Sequence, residues 1–504
     1  MRLRLIGLCF IAAVAARAQD SALFAVQETG PRSERINIVF LSEGYTTADM
    51  PKFATDVVNA VNFLFSKEPW AQYRSYCNVY RIEVASNESG CDNGATSGAG
   101  GIRDTYFNAG FNTPSVTQLL TLGLGGSTKA YALLNTHVPE YDLPIVIVND
   151  AKYGGAGGTI AVASAHSQSA AVVEHEIGHS FALLADEYDT EYLIYTPSEK
   201  PNTTAETNRS LIRWKHWIDD TTPVPTPETS TYDSLAGLFE GSMYRTTGWY
   251  RPHYNSLMKS LNRPCGQINR EQFVLQIYSR IQAIDGYAPS TTCLSVTAPA
   301  NLTFSVTPKA PTSGPALTVA WQIDGVTQSG QTSASLSTLS DVIGNGSHTV
   351  TAVVQDPTAF VRLDSSNLLR STTTWSLTLS GQMPATLANW RTTYGADTAV
   401  VSSDGLPNLV KYALGRAADV ALPADQALTT AVAGDYLTLT VPRRLRRSDV
   451  SYMVQVSSDL VNWNSGAGYT VTVQDTDTLL VVRDATVLSA SPARFMRLAV
   501  GGIP

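Results

Sequence analysis

The motif His175-Glu176-Ile177-Gly178-His179 constrains the fold of this chain more than any other short segment. Histidines four residues apart lie on one face of an α-helix, so both rings can point into one cleft. The preceding run Ser167 to Val173 supplies a candidate N-cap serine and an apolar helix start. The spacing predicts a helix that presents two imidazoles to a zinc ion, with Glu176 beside them to act on water. This pattern is typical of a zinc hydrolase.

A catalytic zinc ion takes three protein ligands and keeps one position open, so the motif needs a third ligand. Asp186 and Glu187 are the nearest candidates. A continuous helix would place Asp186 roughly 15 Å along the axis from His175, too far to share an ion. We therefore expect the helix to end by about Leu184 and the chain to turn back. Glu187 is preferred as the ligand and Asp186 is the alternative; the other carboxylate would orient a histidine.

The first residues have the three parts of a secretory signal peptide. Arg2 and Arg4 precede an apolar run from Leu5 to Ala15, and Ala16-Arg17-Ala18 is a small-x-small cleavage site. We expect residues 1–18 to be removed and the mature protein to be secreted. The apolar run is too short for a transmembrane span, and no later stretch reaches about 18 apolar residues, so we expect no membrane embedding.

Charge and composition restrict the possible partners. Removal of the signal takes away three arginines and no acidic residue, so the formal charge changes from −8 to −11. A chain this acidic is not expected to bind nucleic acid. Its 43% hydrophobic and 15% charged residues argue against disorder and suit an extracellular protein of several β-rich domains.

Four cysteines remain after the signal: Cys77, Cys91, Cys265 and Cys293. An even number in an exported chain permits two disulfides, and proximity favours Cys77 with Cys91 and Cys265 with Cys293. Because none of them has C-x-x-C spacing, a thiolate zinc site is the weaker alternative.

Residues 19–295 mix strand and helix patterns. Ile36 to Leu41 and Leu143 to Val148 are apolar runs typical of buried strands, and Met50 to Ser66 has the apolar recurrence of a helix. This alternation predicts an α/β (α+β) domain. Thr159 to Ser164 is predicted as a strand that either lines the cleft and pairs with an extended peptide or is an ordinary edge strand.

The rest of the chain is predicted to be rich in β-structure. Residues 296–382 have the regular strand spacing of an immunoglobulin-like sandwich. Residues 383–504 are predicted to form a β-rich C-terminal module, similar to modules of large secreted bacterial proteins, with a helix after the turn at Asp404. These modules are candidates for contact with a surface or a glycan, and calcium at Asp404 is a weaker alternative. Within residues 296–382, the clearest strand patterns are Leu302 to Val306, Leu317 to Ile323 and Ser347 to Val354.

The run from His175 to Tyr188 resembles the zinc metallopeptidase family M64, named for a bacterial immunoglobulin A peptidase and metzincin-like in fold. The resemblance covers roughly residues 20 to 290. Met258 matches the methionine turn that lies beneath the zinc site in such peptidases, and Ser256 stands where family members often have Cys. Further stretches carry the resemblance: Asn37 to Tyr45, Trp214 to Ile218, and a distal segment made of Gly237 to Gly241 followed by Tyr250 to Met258.

The resemblance implies a zinc metalloendopeptidase that acts on a protein or peptide substrate. Zn²⁺ on His175, His179 and a carboxylate would activate water, with Glu176 as general base and then general acid. Tyr250 and His253 precede the methionine turn and are candidate donors to the oxyanion. We expect Tyr250 to be the catalytic one.

Two other functions stay open. A non-catalytic peptidase-like domain would only display the C-terminal modules for binding or adhesion, although the intact motif argues against it. A zinc amidase that acts on cell-wall peptides would use the same chemistry. The natural substrate is not predicted, because specificity resides in surface loops such as 196–231, which we expect to lie over the cleft.

Overall fold

The computed structural model describes residues 20–93, 101–111, 116–192, 195–395, 397–401, 404–423, 426–491 and 493–502. The predicted signal peptide, residues 1–18, lies outside the described residues. The chain is a mixed α/β protein with two compact units. The first unit runs to Gly286 and includes 307–318 and 354–371; the second contains 287–306, 319–353 and the chain from 372 onward. The predicted domain limits at 295 and 382 stay a prediction.

A six-stranded sheet forms the centre of the first unit, with strands β1 (Ser21–Gln27), β2 (Ile36–Glu43), β3 (Cys77–Val84), β4 (Leu143–Val148), β5 (Gly155–Ala156) and β6 (Ala161–Ser164). The strand order is β1-β3-β2-β4-β6-β5, with the four inner strands parallel and the two edge strands antiparallel to their neighbours. Every residue of β2 and β4 is buried, as expected for parallel strands covered on both faces. The predicted mixed α/β core is confirmed.

Four helices and a hairpin complete the first unit. Helix α1 buries Phe53, Val57, Val61 and Leu64 along one face, which is the apolar recurrence that predicted it. Among the residues that the structure describes, no helix combines the length and the apolar character needed to cross a membrane. The elements are α1 (Met50–Leu64), α2 (Gly126–His137), α3 (Ser169–Ser180), α4 (Gln267–Tyr278), β7 (Phe239–Ser242) and β8 (Arg245–Arg251).

The strand predicted over Thr159–Ser164 forms as β6 but is not an edge strand. It lies between β4 and β5, so its backbone is paired on both sides. The edge strand is β5, in the glycine-rich segment before it. The side of β5 that faces away from β6 is also occupied at Gly155, whose N–H donates to Gln118 O and whose C=O accepts from Leu120 N–H. Both roles considered for Thr159–Ser164 are therefore wrong.

The four described cysteines are free thiols, so both predicted disulfides are wrong. Cys77 begins β3, opposite Ile36 at the start of β2, whereas Cys91 follows the far end of β3 and contacts Asp150. An eight-residue strand is roughly 25 Å long, and the Cα atoms of a disulfide lie about 6 Å apart. Cys265 is buried, whereas Cys293 is exposed.

Residues 284–380 form two sheets and one short helix. A five-stranded sheet has the order β10-β16-β15-β12-β13 and a three-stranded sheet the order β14-β11-β9. The three strands predicted in this region are confirmed, while the immunoglobulin-like arrangement stays a prediction. The bounds are β9 (Ile284–Ala288), β10 (Cys293–Thr297), β11 (Asn301–Pro308), β12 (Thr318–Ile323), β13 (Val326–Thr327), β14 (Ser335–Leu339), β15 (Gly346–Gln355), β16 (Arg370–Ser380) and α5 (Ser340–Ile343).

The C-terminal residues form a four-stranded sheet, β17-β18-β21-β20, and a strand pair, β19-β22. Helix α7 follows the Asp404 turn, as predicted. The calcium alternative at this turn is wrong, because Asp404 accepts hydrogen bonds from the buried ammonium of Lys411 and from Leu422 N–H. The bounds are α6 (Leu387–Tyr394), α7 (Asn408–Ala413), β17 (Thr429–Ala433), β18 (Tyr436–Pro442), β19 (Val450–Ser457), β20 (Thr470–Asp475), β21 (Leu479–Val487) and β22 (Phe495–Gly502).

Candidate metal centre

Helix α3 carries the His-Glu-x-x-His motif and then stops. It ends at Ser180, which allows the chain to return to the two histidines. Leu183 has a φ of +58°, a left-handed conformation that costs a leucine about 1–2 kcal/mol. Leu184 N–H donates to Gly178 O at 3.0 Å, which closes the turn against the helix. The turn brings Asp186 back to the motif.

Three lone-pair atoms meet beside this turn. His175 Nε2 lies 3.1 Å from Asp186 Oδ1 and 3.3 Å from His179 Nε2. His179 Nε2 lies 3.3 Å from the same Asp186 oxygen. Tetrahedral ligand atoms with metal bonds of about 2.0–2.2 Å lie roughly 3.3–3.6 Å apart. The triangle therefore has nearly the size of three ligands around one ion.

Backbone carbonyls determine which ring nitrogen carries the proton in His175 and His179. His175 Nδ1 donates to Leu257 O at 3.0 Å, and His179 Nδ1 donates to Leu184 O at 2.9 Å. Because a carbonyl can only accept, each ring in its neutral form carries its proton on Nδ1 and presents the lone pair of Nε2 to Asp186. Three acceptor atoms that face one another repel unless a cation lies between them. The donor set therefore fits a metal ion, and imidazole with carboxylate suits zinc.

The electrostatics of these groups also favour positive charge at this point. Burial lowers the pKa of His179, but the hydrogen bond to Asp186 and the nearby carboxylates outweigh burial and raise this pKa to about 9. Burial would raise the pKa of Asp186, yet its two histidine partners hold it well below the ordinary range. In the absence of a metal, a proton takes the place of the cation.

Glu176 lines the same cleft as the two histidines. Burial raises the pKa of its carboxyl group, and the neighbouring histidines only partly offset this effect. Gly157 leaves room for it, because a Cβ at this position would lie 2.8 Å from Glu176 Oε2 and 2.9 Å from the His179 ring. A carboxylate with a raised pKa beside a metal site is suited to accept a proton from water.

Glu187 is fully buried and makes a different set of contacts. Its Oε1 accepts from the side-chain amides of Asn202 and Asn269, each at 3.0 Å. Its Oε2 accepts from the Ser256 hydroxyl at 2.7 Å. These donors use the lone pairs that a metal would need. The geometry therefore favours the alternative, Asp186, over the preferred Glu187 as the third ligand, and the choice of ligand stays a prediction.

Met258 lies against helix α3, as the resemblance implies. It is fully buried, and a Cβ on Gly178 would lie 2.6 Å from its Sδ. Met258 O also accepts from Glu187 N–H at 2.8 Å. A glycine between the two histidines thus allows the methionine to approach the helix directly beneath the metal ligands.

Tyr250 and His253, the predicted oxyanion donors, have structural surroundings. Tyr250 packs in a hydrophobic cluster with Trp214 and Ile268. His253 is buried, and its Nε2 accepts from Gln267 N–H at 3.0 Å. Neither residue is among the described residues that line the cleft. The catalytic role of Tyr250 stays a prediction, and the surroundings of this residue give it no support.

The cleft contains five tyrosines that the sequence analysis did not select. It has a volume of about 600 Å³. The loops 196–231, predicted to lie over it, supply none of its described lining residues. Tyr188 could have been noticed as an aromatic residue two positions after Asp186, whereas Tyr244 lies in a hairpin without a motif. The tyrosines are Tyr153, Tyr188, Tyr192, Tyr195 and Tyr244.

A family model described as IgA Peptidase M64 matches residues 24–233 of the chain. The resemblance predicted from the sequence is thus confirmed, over a span that contains His175, Glu176, His179 and Asp186. The match ends before the Met258 turn. No curated protein matches the chain.

Proposed function

We propose, from the M64 peptidase domain in residues 24–233, that this chain is a secreted zinc-dependent endopeptidase. Its substrate is a protein or a peptide. One observation carries the proposal: the Nε2 atoms of His175 and His179 and an oxygen of Asp186 meet within 3.3 Å of one another. They do so in a cleft that also holds Glu176.

The residues around this point have separate tasks. Zinc, when bound, supplies a Lewis acid for water and for the substrate carbonyl. Glu176 accepts the proton that the attacking water loses and returns it to the leaving amine, a task suited to its raised pKa. His175 and His179 are oriented by the carbonyls behind them.

The cleft is large enough for several substrate side chains. Tyrosine rings line it together with Gly155, Ala156 and Gly157 of the β5 segment. Since the backbone of Gly155 is already bonded to Gln118 and Leu120 and Ala156 pairs with Val162 of β6, a substrate backbone would bind further along, at Gly157. This placement brings the scissile bond close to Glu176 and His179, which Gly157 contacts.

The test compares the wild type with Glu176→Gln, both as purified full-length protein. We expect one zinc per chain in both by elemental mass spectrometry, because Glu176 is not a ligand. Casein and a peptide library should be cut at internal bonds by the wild type, with loss of cleavage on chelation and recovery with zinc. Glu176→Gln should be at least about 100-fold slower. His175→Ala should lose both zinc and activity.

The same assay separates the alternatives. A wild type without zinc or without cleavage of any substrate would reject the peptidase in favour of a binding protein. Cleavage of muropeptides but not of casein would favour a cell-wall amidase. Secretion is tested by sequencing the N-terminus of protein from the culture medium, which we expect to begin at Gln19. The contact of the C-terminal modules with a surface or a glycan stays a prediction.

A further inference from the structure

The turn of the β7–β8 hairpin has an unusual backbone. Ser242 pairs with Arg245, so the loop between them has only two residues, Met243 and Tyr244. Both have positive φ angles, +48° and +60°. Two-residue hairpin turns with this backbone normally contain Asn and Gly, because larger side chains are strained there. Such strain persists where the surroundings hold the backbone, and it is concentrated at functional sites.

The surroundings that hold this turn are the metal-ligand segment itself. Met243 N–H donates to Asp186 O at 3.1 Å, and Tyr244 N–H donates to Tyr188 O at 2.9 Å. The Tyr244 hydroxyl donates to Asp186 Oδ2 at 2.7 Å. Three hydrogen bonds from a strained turn thus hold two residues of this segment, Asp186 and Tyr188.

The hydrogen bond from the Tyr244 hydroxyl gives the two oxygens of Asp186 different partners. Oδ1 is the atom that faces both histidine nitrogens, and Oδ2 is occupied by Tyr244. A carboxylate without this donor can rotate and offer both oxygens to an ion. With one oxygen occupied, Asp186 would offer a single oxygen to a bound ion, which would leave a position on that ion for water and substrate.

We propose that Tyr244 is a positioning residue that holds Asp186 in a one-oxygen orientation toward the metal. The proposal rests on the proposed function, because it assigns Tyr244 a task only if zinc binds at the triangle.

A purely structural role for Tyr244 makes a different prediction. Its ring stacks on Tyr195 with centroids 4.4 Å apart and an angle of 15°, and it lies 5.5 Å from the ring of Tyr188. If packing were its whole contribution, phenylalanine would replace it without loss. The hydroxyl is therefore the group to test.

The experiment measures the zinc dissociation constant of the full chain by competition with a chromophoric chelator. Tyr244→Phe removes the hydroxyl and keeps the ring stack. Tyr195→Phe is the matched control, since it removes a hydroxyl from the partner ring and leaves the bond to Asp186 in place. We expect zinc affinity to fall about 10- to 100-fold in Tyr244→Phe and to change less than about twofold in the control.

A second readout reports the coordination itself. The cobalt-substituted wild type should show the strong visible absorption of a four-coordinate ion, and Tyr244→Phe should absorb more weakly because Asp186 then offers two oxygens. Equal zinc affinity and equal spectra in the two proteins would overturn the positioning role while the proposed function stands. A wild type that binds no zinc would reject both.

Discussion

The carboxylates of Asp186 and Glu187 are neighbours in the chain but lie in opposite environments. Asp186 faces two acceptor nitrogens and receives a single side-chain hydroxyl. Glu187 faces three side-chain donors and is closed off from water. A carboxylate next to acceptors needs a cation, whereas one with three donors is already satisfied. The difference indicates that the hydrogen-bonding character of a carboxylate's partners, more than its distance from the motif in the sequence, distinguishes the candidate metal ligand.

The two environments also have different consequences for the fold. The donors to Glu187 come from the loop at Asn202, the turn at Ser256 and helix α4 at Asn269, so one buried side chain ties three segments together behind the metal ligands. The partners of Asp186 are the ligand histidines and the hairpin turn. We therefore expect the contacts of Glu187 to contribute mainly to the stability of the fold and the contacts of Asp186 to contribute mainly to metal binding.

The largest effect is expected for Glu187→Ala. This change leaves three buried donors without an acceptor, so the free energy of unfolding should fall by about 3–6 kcal/mol. Asp186→Ala should lower it less, because the two histidines can become neutral when their carboxylate partner is removed, and it should abolish zinc binding and cleavage. Urea unfolding of the zinc-free proteins and elemental analysis of the zinc-loaded proteins measure the two quantities.

The comparison fails if the two variants exchange these effects. Stoichiometric zinc and full activity in Asp186→Ala would show that another group is the third ligand. An unfolding free energy of Glu187→Ala equal to that of the wild type would show that the three hydrogen bonds do not hold the segments together. Glu187→Gln is a further control, since it keeps the shape and should be less destabilised than Glu187→Ala.

A smaller effect on the free energy of unfolding is expected when the pH is lowered. It comes from His253, three residues before Ser256, which is a hydrogen-bond partner of Glu187. Burial lowers the pKa of His253 to about 4 from an ordinary value of 6.5. Between these two values the unfolded chain binds a proton here and the folded protein does not. Stability should therefore rise with pH across this window, with at most about 3 kcal/mol lost as the pH falls to about 4.

The variant His253→Gln isolates this contribution from other titrating groups. Its unfolding free energy should depend less on pH between 6.5 and 4 than that of the wild type, whatever its stability at neutral pH. Parallel pH profiles of the two proteins would show that His253 is not held neutral in the folded state. Zinc-free protein is used, so that protonation of the ligand histidines does not contribute through metal release.

Local sequence patterns predicted the parts of the molecule that depend on local physics. The apolar runs of β2 and β4 and the recurrence of α1 are set by burial, whereas the end of α3 after the motif was predicted only from the assumption of a third ligand. The choice between Asp186 and Glu187 depends instead on donors at Asn202, Ser256 and Asn269. These residues lie 15 to 82 positions from Glu187, and no local pattern marks them.

Other sequence-based expectations were limited by the same dependence on contacts between distant parts of the chain. Tyr250 was selected because it precedes Met258 in the sequence, but β8 turns its side chain into the cluster with Trp214. Tyr244, six residues earlier, reaches Asp186 because a two-residue turn reverses the chain there. The predicted pairing of Cys77 with Cys91 failed because a strand separates them along its whole length. In each case the three-dimensional path of the chain, which local patterns do not record, decides the contact.

The smallest effect concerns Leu183, whose left-handed backbone lies in the turn that leads to Asp186 and Glu187. Its side chain is 53% exposed, so replacing it removes little packing. Leu183→Asn should raise the free energy of unfolding by about 0.5–1 kcal/mol, since asparagine tolerates this conformation. Leu183→Ala is the matched control and should give no such gain, because alanine carries the same backbone strain. Zinc affinity should be unchanged in both, since the path of the turn is kept. If Asn and Ala have equal effects in urea unfolding, the turn is not strained at Leu183, and the separation of the two carboxylates must depend on their partners alone.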